Sequence, residues 1–360
     1  GMGAKPIIGH ELLEWIPEDQ VYHVARAIKT MFDKHGNRRS KTNSRIKFLW
    51  KKLDRDGFLE IFNEDYNKIK EDASLALEIN PLDNSAKSTD LAPIKAEGDD
   101  YETWKRRYVT AQKQEGLNTI KINLTLGDLY RDDADKLCDF LEHFSDNTIR
   151  CERAQNMVLR NIPDAYLGNA FEIIWNMKKT LVKEAPFIGN MVNCTGASTC
   201  KLGICLPRGL SEAIRDRLSG SQLDLDRISD FRLNMSGCPN TCGLHHIANL
   251  GFFGKVGRSQ GREMYPSYNV LAGAVIGAGT TKYAQKEGAV AAKHIPNFVH
   301  DFLEHYLDEK EDYETYEDYL DASGREQIHN LCETYKHVPE LEEDDSFYYD
   351  FGAKKRLTLD

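Results

Sequence analysis

The sequence lacks the features that mark membrane-spanning, exported and nucleic-acid-binding proteins. Its 360 residues carry 47 Lys and Arg against 57 Asp and Glu, a net charge of −10, whereas binding to nucleic-acid phosphates favours a basic surface. No apolar run approaches the roughly 20 residues that span a bilayer, and the most apolar stretch, Val270–Gly279, is short and rich in Gly and Ala. The opening residues show no basic segment followed by an apolar one. We therefore expect a cytoplasmic protein that acts without a nucleic-acid or membrane partner.

Cysteine is sparse, and its distribution is uneven. The chain has eight cysteines, and because the cytoplasm keeps thiols reduced, they are not expected to form a disulfide framework. Four of them fall into two pairs flanked by small, turn-forming residues: Cys194 and Cys200 in N-C-T-G-A-S-T-C, and Cys238 and Cys242 in S-G-C-P-N-T-C-G. The other four show no such arrangement and are interpreted as core or incidental residues: Cys138, Cys151, Cys205 and Cys332.

The spacing within each pair favours an iron–sulfur cluster over zinc. Five residues separate the first two cysteines and three separate the second two, whereas zinc ribbons usually pair their ligands as C-x2-C. A cubane cluster takes one thiolate per iron and accepts looser spacing. Gly196, Gly237 and Gly243 permit backbone conformations that let main-chain N–H groups approach sulfur, and Pro239 fixes the turn between the last two ligands. The alternative is a set of four buried structural thiols.

A basic segment, residues 35–52, stands out in this acidic chain because it contains no Asp or Glu. Ile46, Leu49 and Leu53 form an apolar stripe that predicts a helix. Arg38, Lys41 and Arg45 would then lie at i, i+3 and i+7 on one other face. This face is either solvated or a docking site for a small polyanion. The cations of the segment are Arg38, Arg39, Lys41, Arg45, Lys47, Lys51 and Lys52.

The remaining periodicity predicts an α+β chain. An amphipathic helix follows Pro17, and a strand with alternating apolar residues covers residues 120–126. A helix, two strands and a further helix beginning near Pro163 complete a small α+β unit. F-R-L-N-M and N-L-G-F-F-G-K-V predict strands on either side of the second cysteine pair. The acidic tail from Asp308 is predicted as solvated helix and loop.

These motifs carry a resemblance to a known family. C-x5-C followed by S-G-C-P-N-x-C-G resembles the signature of the sirohaem and [4Fe-4S] nitrite and sulfite reductases. Q-K-Q-E-G-L at Gln112–Leu117 is similar to the entry to that family's second ferredoxin-like repeat, and R-A-Q-N-M at Arg153–Met157 is similar to its sirohaem-contacting segment. The basic Gly36–Lys47 resembles the segment that closes the first haem-binding lobe. The resemblance extends from the first residues to about Leu307.

The resemblance implies a fold and a domain order. The expected fold is α+β, with a ferredoxin-like repeat joined to a mixed α/β domain for sirohaem and the iron–sulfur cluster. The expected order is the end of the first sirohaem-binding lobe (1–70), a linker (71–108), the ferredoxin-like domain (109–186), the [4Fe-4S] and sirohaem domain (187–307) and an acidic extension (308–360).

The resemblance also implies a set of site residues. Cys194, Cys200, Cys238 and Cys242 would ligate the cluster, and Cys242 would bridge it to the sirohaem iron as the catalytic axial ligand. Two sets of residues are expected to hold the macrocycle. Hydrogen bonds would come from Gln155, Asn156 and Asn240. The macrocycle carboxylates would be neutralised by Asn37, Arg38, Lys41 and Arg45. Pairing Arg and Lys with partly buried carboxylates is physically favourable.

The activity implied is reduction of sulfite to sulfide or of nitrite to ammonia. A small anionic substrate and an electron-donor protein, a ferredoxin or a flavoprotein, follow from it. Chains of the family have two pseudo-repeated halves, and this sequence begins near the end of the first and lacks its Arg-Lys-x-Lys stretch, so we expect a partial reductase. The alternative is a non-catalytic fragment that uses the cluster for electron transfer or binds the cofactor only.

Overall fold

The computed structural model describes residues 1–79, 89–145 and 147–358. Its contacts divide the chain into two compact units, of which unit 1 holds Gly1 with Ile7–Leu82 and unit 2 holds Met2–Pro6 with Asp83–Asp360. None of the helices in the described ranges combines the length and apolarity needed to cross a membrane.

The regular elements follow in chain order. The α-helices of the described residues are α1 (Val21–His35), α2 (Ile46–Ile69), α3 (Asp99–Tyr108), α4 (Arg131–Leu141), α5 (Leu167–Met177), α6 (Thr180–Lys183), α7 (Pro186–Gly189), α8 (Pro207–Ser219), α9 (Ile295–Glu309), α10 (Tyr316–Tyr319) and α11 (Arg325–Thr334). The strands are β1 (Val109–Ala111), β2 (Leu117–Ile122), β3 (Ile149–Cys151), β4 (Met157–Pro163), β5 (Val192–Asn193), β6 (Leu233–Ser236), β7 (Leu250–Arg258), β8 (Met264–Ala272) and β9 (Gln285–Ala291).

Unit 1 is built on the helix pair α1 and α2. Ala27 and Met31, four residues apart on α1, are buried together with Leu49 and Phe58 of α2. The predicted helix after Pro17 is therefore confirmed.

The basic segment of unit 1 differs from its prediction, because α2 begins only at Ile46. The carboxamide oxygen of Asn37 accepts hydrogen bonds from the backbone N–H groups of Arg39 at 3.0 Å and Ser40 at 3.1 Å. Such side-chain bonds to the backbone compete with helix formation. The prediction that Arg38, Lys41 and Arg45 share one helical face is therefore wrong.

The ferredoxin-like part of unit 2 is a four-stranded antiparallel sheet with strand order β1-β2-β4-β3. Helices α4 and α5 share its core, and this sequence of strands and helices confirms the predicted α+β unit. The core also contains Trp104 of α3, which is fully buried. The structure thus differs from the predicted linker 71–108, because Asp99–Tyr108 is a packed helix. Residues 80–88 of that linker lie outside the described residues.

The second sheet of unit 2 has the order β5-β6-β7-β8-β9. Strands β5, β6 and β7 are parallel, and β7, β8 and β9 are antiparallel. The two strands predicted around the second cysteine pair are confirmed as β6 and β7. The predicted domains 109–186 and 187–307 both lie in unit 2, each around its own hydrophobic core.

The acidic tail packs against the second sheet instead of being solvated. Tyr319, Leu320 and Ile328 are fully buried in the core that also contains residues of β7, β8 and α9. Further along, Tyr348 is 1% exposed, and its hydroxyl donates to the Pro339 carbonyl at 2.9 Å. The acidic side chains of the tail alternate with apolar ones that supply this core. The prediction of a solvated extension is wrong for this reason.

Candidate functional site

The two cysteine motifs meet at one edge of the second sheet. Strand β5 leads directly into Cys194, and strand β6 leads through Gly237 into Cys238. Because β5 and β6 are adjacent and parallel, their carboxyl ends lie side by side. The Cys194 N–H donates to the Met235 carbonyl at 3.2 Å, and the Gly237 N–H donates to Cys194 Sγ at 3.2 Å.

The loop that carries Cys200 folds back onto the second motif. The N–H groups of Ile204 and Cys205 both donate to the Gly237 carbonyl, at 2.8 and 3.0 Å. Gly196 has φ +61°, and a Cβ at this position would lie 2.2 Å from Pro207 Cδ. A glycine is therefore required for the loop to close. Cys205 is fully buried, which confirms its interpretation as a core residue.

The second motif is a tight turn between β6 and β7. Thr241 is buried with φ 62°, between Asn240 and Cys242, which are both exposed. Gly243 is needed for packing, since a Cβ there would lie 1.8 Å from the Met235 carbonyl oxygen. The turn thus buries Cys238 and directs Cys242 and Asn240 to the surface.

The four thiols influence each other electrostatically. Burial raises the pKa of Cys242 first, and Cys194, Cys238 and Cys200 raise it further. A Cys242 thiolate beside three other thiolates is therefore disfavoured unless a cationic group neutralises their charge. Iron bound by the thiolates would supply that neutralising charge.

The donor set fits a cubane cluster better than one tetrahedral ion. Among the described residues, the one trio of ligand atoms found within 4.8 Å of one another is His300, Asp301 and Glu304. No three of the cysteine sulfurs approach that closely, whereas Zn–S bonds of about 2.3 Å would require it. In a cubane each thiolate binds a different iron, which allows wider separation.

Asn193, next to Cys194, provides a second indication that the cysteine site binds a cofactor. The residue is 3% exposed, yet neither its side-chain oxygen nor its side-chain nitrogen has a hydrogen-bond partner within the described residues. Buried polar atoms are normally paired, and leaving them unpaired costs stability. Sequence reasoning missed Asn193, because only its position before Cys194 distinguishes it from other asparagines.

Gln155 and Asn156 support the strand that leads to Cys194. The Gln155 carboxamide donates to the Asn193 carbonyl at 2.9 Å and accepts from the Asn193 N–H at 3.0 Å, so it extends the edge of β5. Asn156 is buried, donates to the Gly189 carbonyl at 2.9 Å and accepts from the Leu124 N–H at 2.9 Å. Both side chains thus bond to the backbone, and the macrocycle contacts implied by the resemblance stay a prediction.

The predicted cationic residues lie in unit 1. The Arg38 guanidinium pairs with Asp33 and lies over the Phe32 ring at 5.0 Å. Lys41 lies in a 3-10 turn and is exposed, as is Arg45 at the residue before α2. The Arg38 charge is therefore partly neutralised by its own helix, and the side chains of Lys41 and Arg45 are exposed.

Two family models match most of the chain. The nitrite and sulphite reductase 4Fe-4S domain matches residues 1–70 and 184–339. The nitrite/sulfite reductase ferredoxin-like half domain matches residues 110–174.

Individual relatives agree with these models. The chain is 25% identical over 293 residues to the ferredoxin–nitrite reductase of Synechococcus elongatus, covering 80% of this chain and 52% of that protein. It is 23% identical to sulfite reductase [ferredoxin] 1 of Mycolicibacterium paratuberculosis, covering 91% and 56%. The structure of the Mycobacterium tuberculosis NirA protein has the same fold, with a TM-score of 0.67 and 20% identity over 91% of this chain and 56% of that one. The chain spans about half the length of the curated relatives it matches.

Proposed function

Because the chain belongs to the nitrite and sulphite reductase family with the 4Fe-4S domain, we propose that it binds a [4Fe-4S] cluster and a sirohaem. The proposed reaction is reduction of a small oxyanion, sulfite to sulfide or nitrite to ammonia. The observation that carries the proposal is the meeting of Cys194, Cys200, Cys238 and Cys242 at the carboxyl ends of two adjacent parallel strands. When bound, the cluster and the macrocycle would supply the electrons and the iron that holds the oxyanion.

The residues of this chain have separate proposed roles. Cys194, Cys200, Cys238 and Cys242 would hold the cluster, and the exposed Cys242 would also link it to the sirohaem. The Gly237 N–H donates to Cys194 Sγ and would thereby hold that sulfur in position as a ligand. Asn240 is exposed beside Cys242 and would donate a hydrogen bond to the macrocycle.

Gln155 and Asn156 act through the backbone. Their carboxamides fix the backbone near Asn193 and Gly189, and this would support the position of Cys194. In unit 1, the exposed Lys41 and Arg45 are cations suited to the carboxylates of a polyanion. Asn37 orders the turn that presents them through its bonds to Arg39 and Ser40.

The electron donor is proposed to be a ferredoxin. Both curated relatives named above carry ferredoxin in their names, and the reaction needs several electrons delivered one at a time. The eight cysteines of the described chain are free thiols, which suits the reducing conditions of the cytoplasm. Sulfite and nitrite share the same site in this proposal, and turnover measurements decide between them.

Cofactor analysis of the purified chain tests the proposal. We expect about four irons and four acid-labile sulfides per chain from the cluster, together with an extractable sirohaem and its visible absorption band. A reduced dye as electron donor then reports turnover with sulfite or nitrite. Cluster iron without sirohaem would instead support the electron-transfer alternative, and absence of both from freshly reconstituted protein would contradict the proposal.

A further inference from the structure

A buried chain of hydrogen bonds lies beneath the turn that carries Cys242. The Gly243 N–H donates to Ser236 Oγ at 2.9 Å, and Ser236 Oγ lies 2.8 Å from His245 Nδ1. On the other side of the ring, His245 Nε2 lies 3.4 Å from Thr241 Oγ1. The Thr241 hydroxyl in turn donates to the Gly3 carbonyl at 3.1 Å. His245 is 0% exposed, and Ser236 and Thr241 are nearly as buried.

The number of available protons sets which atom donates and which accepts in each bond of this hydrogen-bond network. Each hydroxyl has a single proton, and that of Ser236 has His245 Nδ1 as its partner among the described residues. Nδ1 is then the acceptor, so Nε2 carries the ring proton and donates to Thr241 Oγ1. The Thr241 proton goes to a backbone carbonyl, that of Gly3 at 3.1 Å or that of Pro239 at 3.3 Å. Burial keeps the ring neutral by lowering the His245 pKa to about 3.

The network stabilises an unfavourable backbone. Thr241 has φ 62° and Leu244 has φ 60°, in the left-handed region that residues with side chains rarely adopt. Such conformations persist only where the surroundings hold them. His245 bonds to Thr241, and Ser236 bonds to Gly243, so the residues on both sides of Cys242 are fixed.

We propose that His245 is a positioning residue that aims the Cys242 thiolate through Thr241 and Ser236. This inference rests on the proposed function, in which Cys242 is a cluster ligand. The imidazole does not touch the cluster in this account. It acts by holding the turn in the one geometry in which Cys238 is buried and Cys242 faces outward. Its ring also stacks on Phe253, with centroids 4.9 Å apart.

Two variants separate hydrogen bonding from packing. His245→Phe keeps an aromatic ring against Phe253 but removes both hydrogen bonds, and His245→Gln keeps one donor and one acceptor. His35→Phe is the control, because His35 is an exposed histidine at the end of α1 and lies outside the network. We expect His245→Phe to lose its cluster to a chelator about 10–100-fold faster than the unmodified chain, as is typical when a residue supporting a ligand is removed. His245→Gln and the control should stay close to the unmodified rate.

A second pair covers the case in which His245→Phe does not fold. Thr241→Val removes the far end of the network, and Thr241→Ser preserves its hydroxyl. Thr241→Val should lose its cluster faster than the unmodified chain, whereas Thr241→Ser should lose it at the unmodified rate. The midpoint potential of the cluster should shift in His245→Phe and return in His245→Gln, which a purely structural role would not produce.

A measurement on the cluster-free chain is independent of the cofactor. Long-range 1H–15N spectra should show that His245 is protonated at Nε2 and unprotonated at Nδ1. Protonation at Nδ1, or cluster loss from His245→Phe at the unmodified rate, would overturn the inference. If the unmodified chain accepts no cluster under reconstitution, the proposed function fails and the inference fails with it, whereas a loaded chain that is insensitive to His245→Phe rejects the inference alone.

Discussion

Asp350, near the end of the described chain, accepts a hydrogen bond from the backbone N–H of Leu206 at 2.6 Å across 144 residues of sequence. Leu206 immediately precedes α8 and follows the loop that contains Cys200. No side chain of the helix itself caps this end, so a distant carboxylate supplies the acceptor. The second Asp350 oxygen accepts from the Phe351 N–H at 2.9 Å. The acidic tail is therefore part of the structure behind the cysteine loop.

Asp350→Ala should destabilise unit 2. The change leaves the Leu206 N–H without its acceptor and removes a buried side chain, so we expect a loss of about 1–3 kcal/mol in the free energy of unfolding. Denaturant unfolding of the cluster-free chain measures it. Asp345→Ala is the control, because Asp345 is an exposed carboxylate of the same tail, and it should have little effect. An Asp350→Ala midpoint equal to that of the control would show that this bond is dispensable.

The same carboxylate gives unit 2 a defined pH response. Burial raises the pKa of Asp350 above its unfolded value of 3.8, although the bonds from Leu206 and Phe351 oppose the shift. The folded chain therefore holds this proton at pH values where the unfolded chain has lost it, so the contribution of Asp350 to stability falls as pH rises from 3.8 through its folded pKa. Asp350→Asn should remove this slope. Unfolding measured at a series of pH values would contradict the assignment if both proteins gave parallel curves.

The cysteine pairing could be predicted from the sequence, but the supports of the site could not. The two motifs are local patterns, and the strands beside them alternate visibly. Asp350, by contrast, contacts Leu206 only because a tail that reads as acidic and solvated also carries Tyr319 and Ile328, whose burial depends on long-range packing. The prediction relied on the acidic composition of the tail and overlooked its apolar residues, whose burial determines where the tail lies.

The helix predicted across Arg38, Lys41 and Arg45 of the basic segment is wrong for a local reason. Its apolar residues match a helix, but the prediction ignored that Asn37 can bond to the N–H groups that follow it. Gln155 and Asn156 were identified by resemblance, and their bonds to the backbone could not be predicted from the motif. The macrocycle contacts implied by the resemblance stay a prediction.

Under the proposed function, Cys242→Ser should disrupt cofactor binding. A serine hydroxyl is a harder and more weakly binding ligand for iron than a thiolate, so we expect loss of the sirohaem band and a marked fall in iron and labile sulfide. Cys138→Ser is the matched control, since Cys138 is an exposed thiol on α4 outside both motifs. Visible spectra and metal analysis of the three proteins provide the measurement. A Cys242→Ser protein with the unmodified spectrum would remove Cys242 from the ligand set.

Gln155→Ala should loosen the strand that leads to Cys194. The change removes two hydrogen bonds to the Asn193 backbone, each worth about 0.5–1.5 kcal/mol net. Because the loss is concentrated at the edge of β5, amide hydrogen exchange at Asn193 should become roughly tenfold faster or more, since each 1.4 kcal/mol corresponds to a factor of ten. Gln260→Ala, at an exposed glutamine, should leave this exchange rate unchanged. Unaltered exchange in Gln155→Ala would mean that β6 alone holds β5, and the role of Gln155 would then have to lie in a direct contact with the bound cofactor.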